Sequence, residues 1–203
     1  MFVRLYGKDY RREMTAYSHR VGALAATATT TYLMGLTIEK EPLQMICLTV
    51  GALAGSLLPD ADTPFSKIGR RYLIVLWPFY LFQFLVHLFL PRSGMDKTFG
   101  HRGMFHYPLF WTALWGVVMC GTYHIPRNSI TSQILLWLVI GLGIGVLSHL
   151  LLDFVSGGIP ILGPILKRRQ KPPMKIKTGG VMEVVFSICL MGYSAYICAT
   201  YLI

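Results

Sequence analysis

Four short polar constellations stand at the ends of apolar runs in this chain, and their residue types are those that bind cations or move protons. Gly100-His101-Arg102-Gly103-Met104-Phe105-His106 sets two imidazoles and a guanidinium at the start of an uncharged run over 105–123. Ser148-His149-Leu150-Leu151-Leu152-Asp153 puts an imidazole and a carboxylate at i and i+4, on one helical face with Cβ atoms about 5–6 Å apart. Such a pair can hold one metal ion or two adjacent ones at about 2.0–2.2 Å per ligand, and it can equally be a buried hydrogen-bonded pair. Asp60 and Asp62 flank one alanine between Pro59 and Pro64. In an extended segment their carboxylates point the same way and repel unless a cation lies between them. Capping of a solvated turn is the plainer alternative. Glu183 follows Thr178-Gly179-Gly180 in the first turn of the last apolar run, where a carboxylate is favourable by itself. His19 precedes the first run in the same manner.

Ionisable groups at the mouth of a membrane helix are costly to keep, which makes a chemical role the default hypothesis. His101 and His106 bracket a helix start, whose free N–H groups attract an anion, and Arg102 adds a fixed cation suited to phosphate or carboxylate. The chain has only nine acidic residues. Four of them, Asp60, Asp62, Asp153 and Glu183, share run ends with His19, His101, His106 and His149. Nitrogen and oxygen donors without thiolate suit Zn²⁺ first, with Mn²⁺ or Fe²⁺ as alternatives, and eight of them are enough for two or three ions. Cations held there would acidify bound water and polarise a phosphoryl or carbonyl oxygen. One carboxylate, Asp62 or Glu183, can then serve as general base, with Arg102 stabilising developing charge. His87 and His124 read as structural.

The elements that must position these groups are membrane helices. Hydrophobic residues make up 54% of the chain and charged ones 14%, where a soluble domain carries about 25% charged. Mean hydropathy is +0.52. The first twenty residues are basic and polar, with no apolar core of a cleavable signal. The four cysteines lie singly in apolar runs and read as core residues, with no zinc or disulfide pattern. Apolar runs cover 21–37, 43–58, 72–90, 105–123, 134–153 and 181–203. Glycine and proline break 154–166, and a basic stretch fills 167–177. The expected fold is all-α: an integral membrane bundle of about five spanning helices, preceded by a basic arm (1–20) and forming one embedded domain (21–203).

Run 72–90, interrupted by Pro78, decides the topology. As a simple span it would send His101 and His106 to the opposite face from Asp60. As a re-entrant or interfacial helix it keeps all four constellations on one face. The second choice also gathers every lysine and arginine except Lys40 and Arg127, out of 19, on that same face. Positive charge concentrates in cytoplasmic loops, which predicts a multi-pass protein with its site at the cytoplasmic side.

The series Ser18-His19, Leu57-Leu58-Pro59-Asp60-Ala61-Asp62, Gly100-His101-Arg102-Gly103 with His106, Ser148-His149 with Asp153, and Gly158-Ile159-Pro160 resembles the LexA-regulated, inner-membrane-associated metal-dependent hydrolases of bacteria. The resemblance runs in order from about Met14 to Glu183. That family is distantly similar to zinc-dependent phospholipase C and the P1-type nucleases, which use a three-zinc cluster on a helical fold. The resemblance implies a bacterial inner-membrane hydrolase with His19, Asp60, His101, His106, His149, Asp153 and Glu183 as candidate ligands. Phe105-His106-Tyr107 departs from the small hydroxyl residues usual in the family, which bears on substrate shape more than on metal binding.

A net charge of +10 invites a nucleic-acid reading. The basic residues nevertheless lie in loops beside membrane helices, where anionic headgroups attract each by about 1 kcal/mol. A substrate with an anionic head and an apolar body fits both features, so membrane lipids and a lipid-like phosphoester are the expected partners, ahead of nucleic acid. The alternative is a non-catalytic membrane protein, either an ion or solute transporter or a metal-stabilised regulatory partner. A through-pathway would need polar residues deep inside the runs and a matching set on the far face, and the sequence has neither.

Overall fold

Helix ends follow the chain's proline and glycine punctuation. In the computed structural model the described residues are 16–62, 104–126, 129–161, 170, 172, 176–177 and 179–202, with the side chains of Asp62, Met104 and Leu202 outside that set. Among them the fold is all-helical: α1 (Ala16–Leu33), α2 (Pro42–Gly55), α3 (Pro108–Tyr123), α4 (Ile130–Gly157) and α5 (Val181–Ile197), the last continuing through a π turn at Cys198–Leu202. Two 3-10 turns, Leu58–Asp62 and Met104–His106, carry site residues. Segment 72–90, His87, His101, Arg102 and the basic residues at 167–169 lie outside the described residues.

Pro42 and Pro108 open α2 and α3 at first-turn positions, where the missing N–H costs nothing. Helix α1 closes with Gly35 at φ 65, Leu36 N–H reaching Thr31 O at 3.0 Å and Gly35 N–H reaching Tyr32 O at 3.1 Å, the paired bonds of a Schellman end. Its threonines satisfy their own hydroxyls: Thr27, Thr29, Thr30 and Thr31 each donate to the carbonyl four residues back. Ser129 caps α4 by accepting the Ser132 N–H, and Gly158 at φ 80 ends it. The glycine–proline break expected after Asp153 thus falls at Gly157–Gly158.

Two helices reach beyond the apolar runs that announced them. Helix α1 begins at Ala16, five residues before the run at 21, because Ser18 and His19 are buried by contacts with other helices. Helix α4 covers 28 residues. At 1.5 Å per residue it is about 42 Å long, against a hydrocarbon core of about 30 Å, so it tilts or projects. Among the described residues three helical stretches are long and apolar enough to cross a membrane: Pro42–Ala61, Ile130–Gly157 and Val181–Tyr201. Helices α1 and α3, of 18 and 16 residues, fall outside that group.

Helix α4 is the hub, packed by α2, α1 and α3, while α5 leans on α1. The α2–α4 crossing is the closest. Gly51 and Gly55 face Gly141 and Gly145, and a Cβ on any of them would strike a backbone carbonyl of the opposite helix. Small residues at four-residue spacing let membrane helices approach backbone to backbone, which lipid-like side chains alone would not favour. Helix α3 is held more lightly: Trp115 Nε1–H donates to Val139 O at 3.0 Å. Trp115→Phe should remove that bond at about 0.5–1.5 kcal/mol, seen as a small drop in the midpoint of thermal unfolding in detergent.

Candidate metal centre

Five of the predicted donors meet at one end of the bundle. The last turns of α4 supply His149 and Asp153, the first turn of α1 supplies His19, and the two 3-10 turns supply Asp60 and His106. Asp60 and His106 therefore stand at the same end, as the one-face topology requires. His106 Nε2 is 3.1 Å from Asp153 Oδ2 and 3.9 Å from Asp60 Oδ1. His149 Nε2 is 3.5 Å from Asp153 Oδ2 and 3.7 Å from Asp60 Oδ1. His19 Nε2 lies 3.7 Å from Asp153 Oδ1, so the two oxygens of Asp153 face different imidazoles. The His19 and His149 rings are stacked, centroids 3.8 Å apart at 12°. Four of the five side chains are at most 2% exposed, while that of Asp60 is 23% exposed.

The hydrogen bonding of His149 shows what this arrangement wants. Its Nδ1 sits 2.6 Å from the Ser56 carbonyl, which only accepts, so Nδ1 carries the proton and donates. Nε2, on the opposite side of the ring, is buried and makes no hydrogen bond of good geometry. It points at two carboxylate oxygens. A proton added there would face oxygens at 3.5 and 3.7 Å, well beyond the about 2.7–2.9 Å of a charge-assisted hydrogen bond. A cation suits the spacing better: two donors bound to one ion at about 2.0–2.2 Å lie about 3.0–3.6 Å apart, which takes in the Asp153 oxygen at 3.5 Å and falls just short of the Asp60 oxygen at 3.7 Å. A backbone carbonyl on the far nitrogen is also the usual support of a metal-ligating histidine.

Among the described residues, two groups of three have donor atoms within 4.8 Å of one another, namely His19, His149 and Asp153, and Asp60, His106 and His149. His149 belongs to both, and one lone pair serves one ion at a time. Phe105 and Trp111 hold the His106 turn in place: Trp111 Nε1–H donates to the Phe105 carbonyl at 2.5 Å and the two rings meet edge to face at 5.7 Å.

Glu183 is buried but belongs to neither group; it accepts from the Ser18 hydroxyl at 2.5 Å and the Gly179 N–H at 2.7 Å. The backbone of Asp62 closes the 3-10 turn after Asp60, and its side chain lies outside the described set. His101 and Arg102 lie outside the described residues. His124 is exposed, against Tyr123, and all four cysteines are free. Sequence reasoning missed the Ser56 carbonyl, which no side-chain pattern announces. It also missed the Gly51/Gly55 and Gly141/Gly145 spacings that carry Ser56 to His149, a signal that was there to be read.

A family model described as YdjM inner membrane protein matches residues 14–202. The uncharacterized protein YvsG of Bacillus subtilis (strain 168) is 29% identical over 171 residues, covering 84% of this chain and 85% of that protein. No solved structure matches.

Proposed function

We propose that this chain, which belongs to the YdjM inner membrane protein family, is a membrane-bound metal-dependent hydrolase that cleaves a lipid-like phosphoester at the cytoplasmic face. The observation that carries the reading is the buried Nε2 of His149, held in place through the Ser56 carbonyl on the other side of the ring and aimed at two carboxylates. His19, Asp60, His106, His149 and Asp153 are the residues that would hold divalent ions, with zinc first among them and two or three ions as the family resemblance implies. When bound, such ions supply Lewis acidity toward a phosphoryl oxygen and acidify water near neutral pH.

The rest is the chain's own work. The Ser56 carbonyl orients the His149 ring, and the stacked His19 ring shields it on one side. Burial of His19, His106, His149 and Asp153 keeps the donors dry, which strengthens every electrostatic contact among them. Asp60 is the exposed edge, so water and substrate approach from its side. By the sequence, the basic loops would draw anionic headgroups to the site's face of the membrane, with Arg102 as the group for a phosphoryl oxygen. The apolar runs give five crossings in this reading, three of them on stretches long and apolar enough among the described residues, and the positive-inside count puts the site on the cytoplasmic side.

The test is elemental analysis of purified full-length protein joined to a lipid phosphoester panel in mixed micelles. The expected result is bound divalent metal and hydrolysis of at least one panel member, lost on chelation and restored by zinc. Protein that stays metal-free after incubation with zinc, manganese or iron overturns the reading. Metal-loaded protein that hydrolyses nothing on the panel reassigns the centre to a structural or regulatory role.

A further inference from the structure

Glu183 is the buried carboxylate that the cation groups leave out. Both of its oxygens are engaged, Oε1 by the Ser18 hydroxyl at 2.5 Å and Oε2 by the Gly179 N–H at 2.7 Å. Ser187, one turn along α5, donates to Ser18 Oγ at 3.2 Å. The bond to Gly179 resembles the back-reaching half of a capping box, a service to α5 alone. The bond to Ser18 is of another kind. It joins residues 165 apart in sequence and ties the first turn of α5 to the first turn of α1.

We propose that Glu183 is a positioning residue for His19 and not a cation ligand: through Ser18 it sets the rotation of α1 that brings the His19 ring onto His149 and Asp153. The inference rests on the cation reading above. Ser18 and His19 are consecutive, so their side chains leave α1 about 100° apart. One is held by α5, the other meets α4. Contacts in two such directions define how the helix is turned about its axis. A rotation of about 10° would carry an imidazole nitrogen that lies about 6 Å from the axis by about 1 Å, enough to spoil a ligand position. Ser187 steadies the hydroxyl from the side.

Cobalt(II) titration of the detergent-solubilised full-length protein, followed by its d–d absorption, tests this. Ser18→Ala and Glu183→Ala are expected to weaken cobalt binding about 10–100-fold, as loss of a supporting partner does. Glu183→Gln keeps an acceptor for Ser18 and should stay within about threefold of the parent, with the same spectrum. Asp153→Asn is the reference for a lost ligand, weakening binding and shifting the bands. Glu183→Gln behaving like Asp153→Asn overturns the proposal, because it makes Glu183 a ligand. Ser18→Ala and Glu183→Ala binding like the parent overturns it as well, and Ser18→Ala alone carries this arm if Glu183→Ala does not fold. Parent protein that binds no cobalt, indistinguishable from His149→Ala, removes the cation reading itself and this inference with it.

Discussion

His149→Ala abolishes bound metal and turnover together: this is the largest effect expected of any single substitution in the chain. The ring is the donor common to both three-residue groups. Loss of a supporting partner around a metal typically costs 10–100-fold in affinity, and loss of a ligand at the centre of the set costs more, so metal affinity should fall more than 100-fold. Stability moves in two directions. Truncating a fully buried ring leaves a cavity, by analogy with large core truncations about 2–5 kcal/mol. It also relieves the lone pair that faces Asp60 and Asp153, and it removes the stack on His19. The measurement is metal per chain and turnover on protein whose helical circular dichroism matches the parent's. His124→Ala, an exposed ring against Tyr123, should leave both values alone. A His149→Ala protein that keeps its metal would remove the centre assigned here.

Gly145→Val should damage the same centre from a distance, through the helix crossing. A Cβ at Gly145 would strike the Ala52 carbonyl and come within 2.7 Å of the Ser56 N–H. Both obstacles are backbone, so no side chain can swing aside and α2 must move off α4. Overpacking of this kind costs about 1–3 kcal/mol. The functional consequence is the larger one, because the displaced segment carries the Ser56 carbonyl that holds His149 Nδ1 at 2.6 Å. With that hold loosened the ring is free to turn, and metal affinity should drop about 10–100-fold. Gly116→Val and Gly121→Val on α3 are the controls, since among the described residues nothing lies within 4 Å of a carbon added there. Equal metal affinity in Gly145→Val and Gly121→Val would show that the crossing does not govern the site.

Much of the architecture was legible before any coordinates. Helices separated by Pro42, Pro108 and the Gly157–Gly158 break follow from local rules about which residues can continue a helix, and those rules need no tertiary partner. The starts were harder. Ser18 and His19 fell in the basic arm, outside the first apolar run, because hydropathy registers side-chain type and is blind to what a partner helix will cover. The donor inventory was equally legible: an ionisable group at the end of an apolar run is expensive, and a chain with so few carboxylates that keeps four there invites a chemical explanation.

What the sequence determined by itself was a set of membrane helices with a pool of imidazoles and carboxylates at their ends. Only the tertiary structure decided which members of that pool meet. It brought His19, Asp60, His106, His149 and Asp153 together and turned Glu183 toward Ser18. It also chose the proton-bearing nitrogen of His149, by setting a main-chain carbonyl against the other side of the ring. The physical reason is that a donor's role depends on which atom faces it within about 3–4 Å. Spacing along one helix fixes that only for neighbours such as His149 and Asp153. For residues that lie far apart in the chain it is fixed by how closely the helices cross, and here four glycines set that distance.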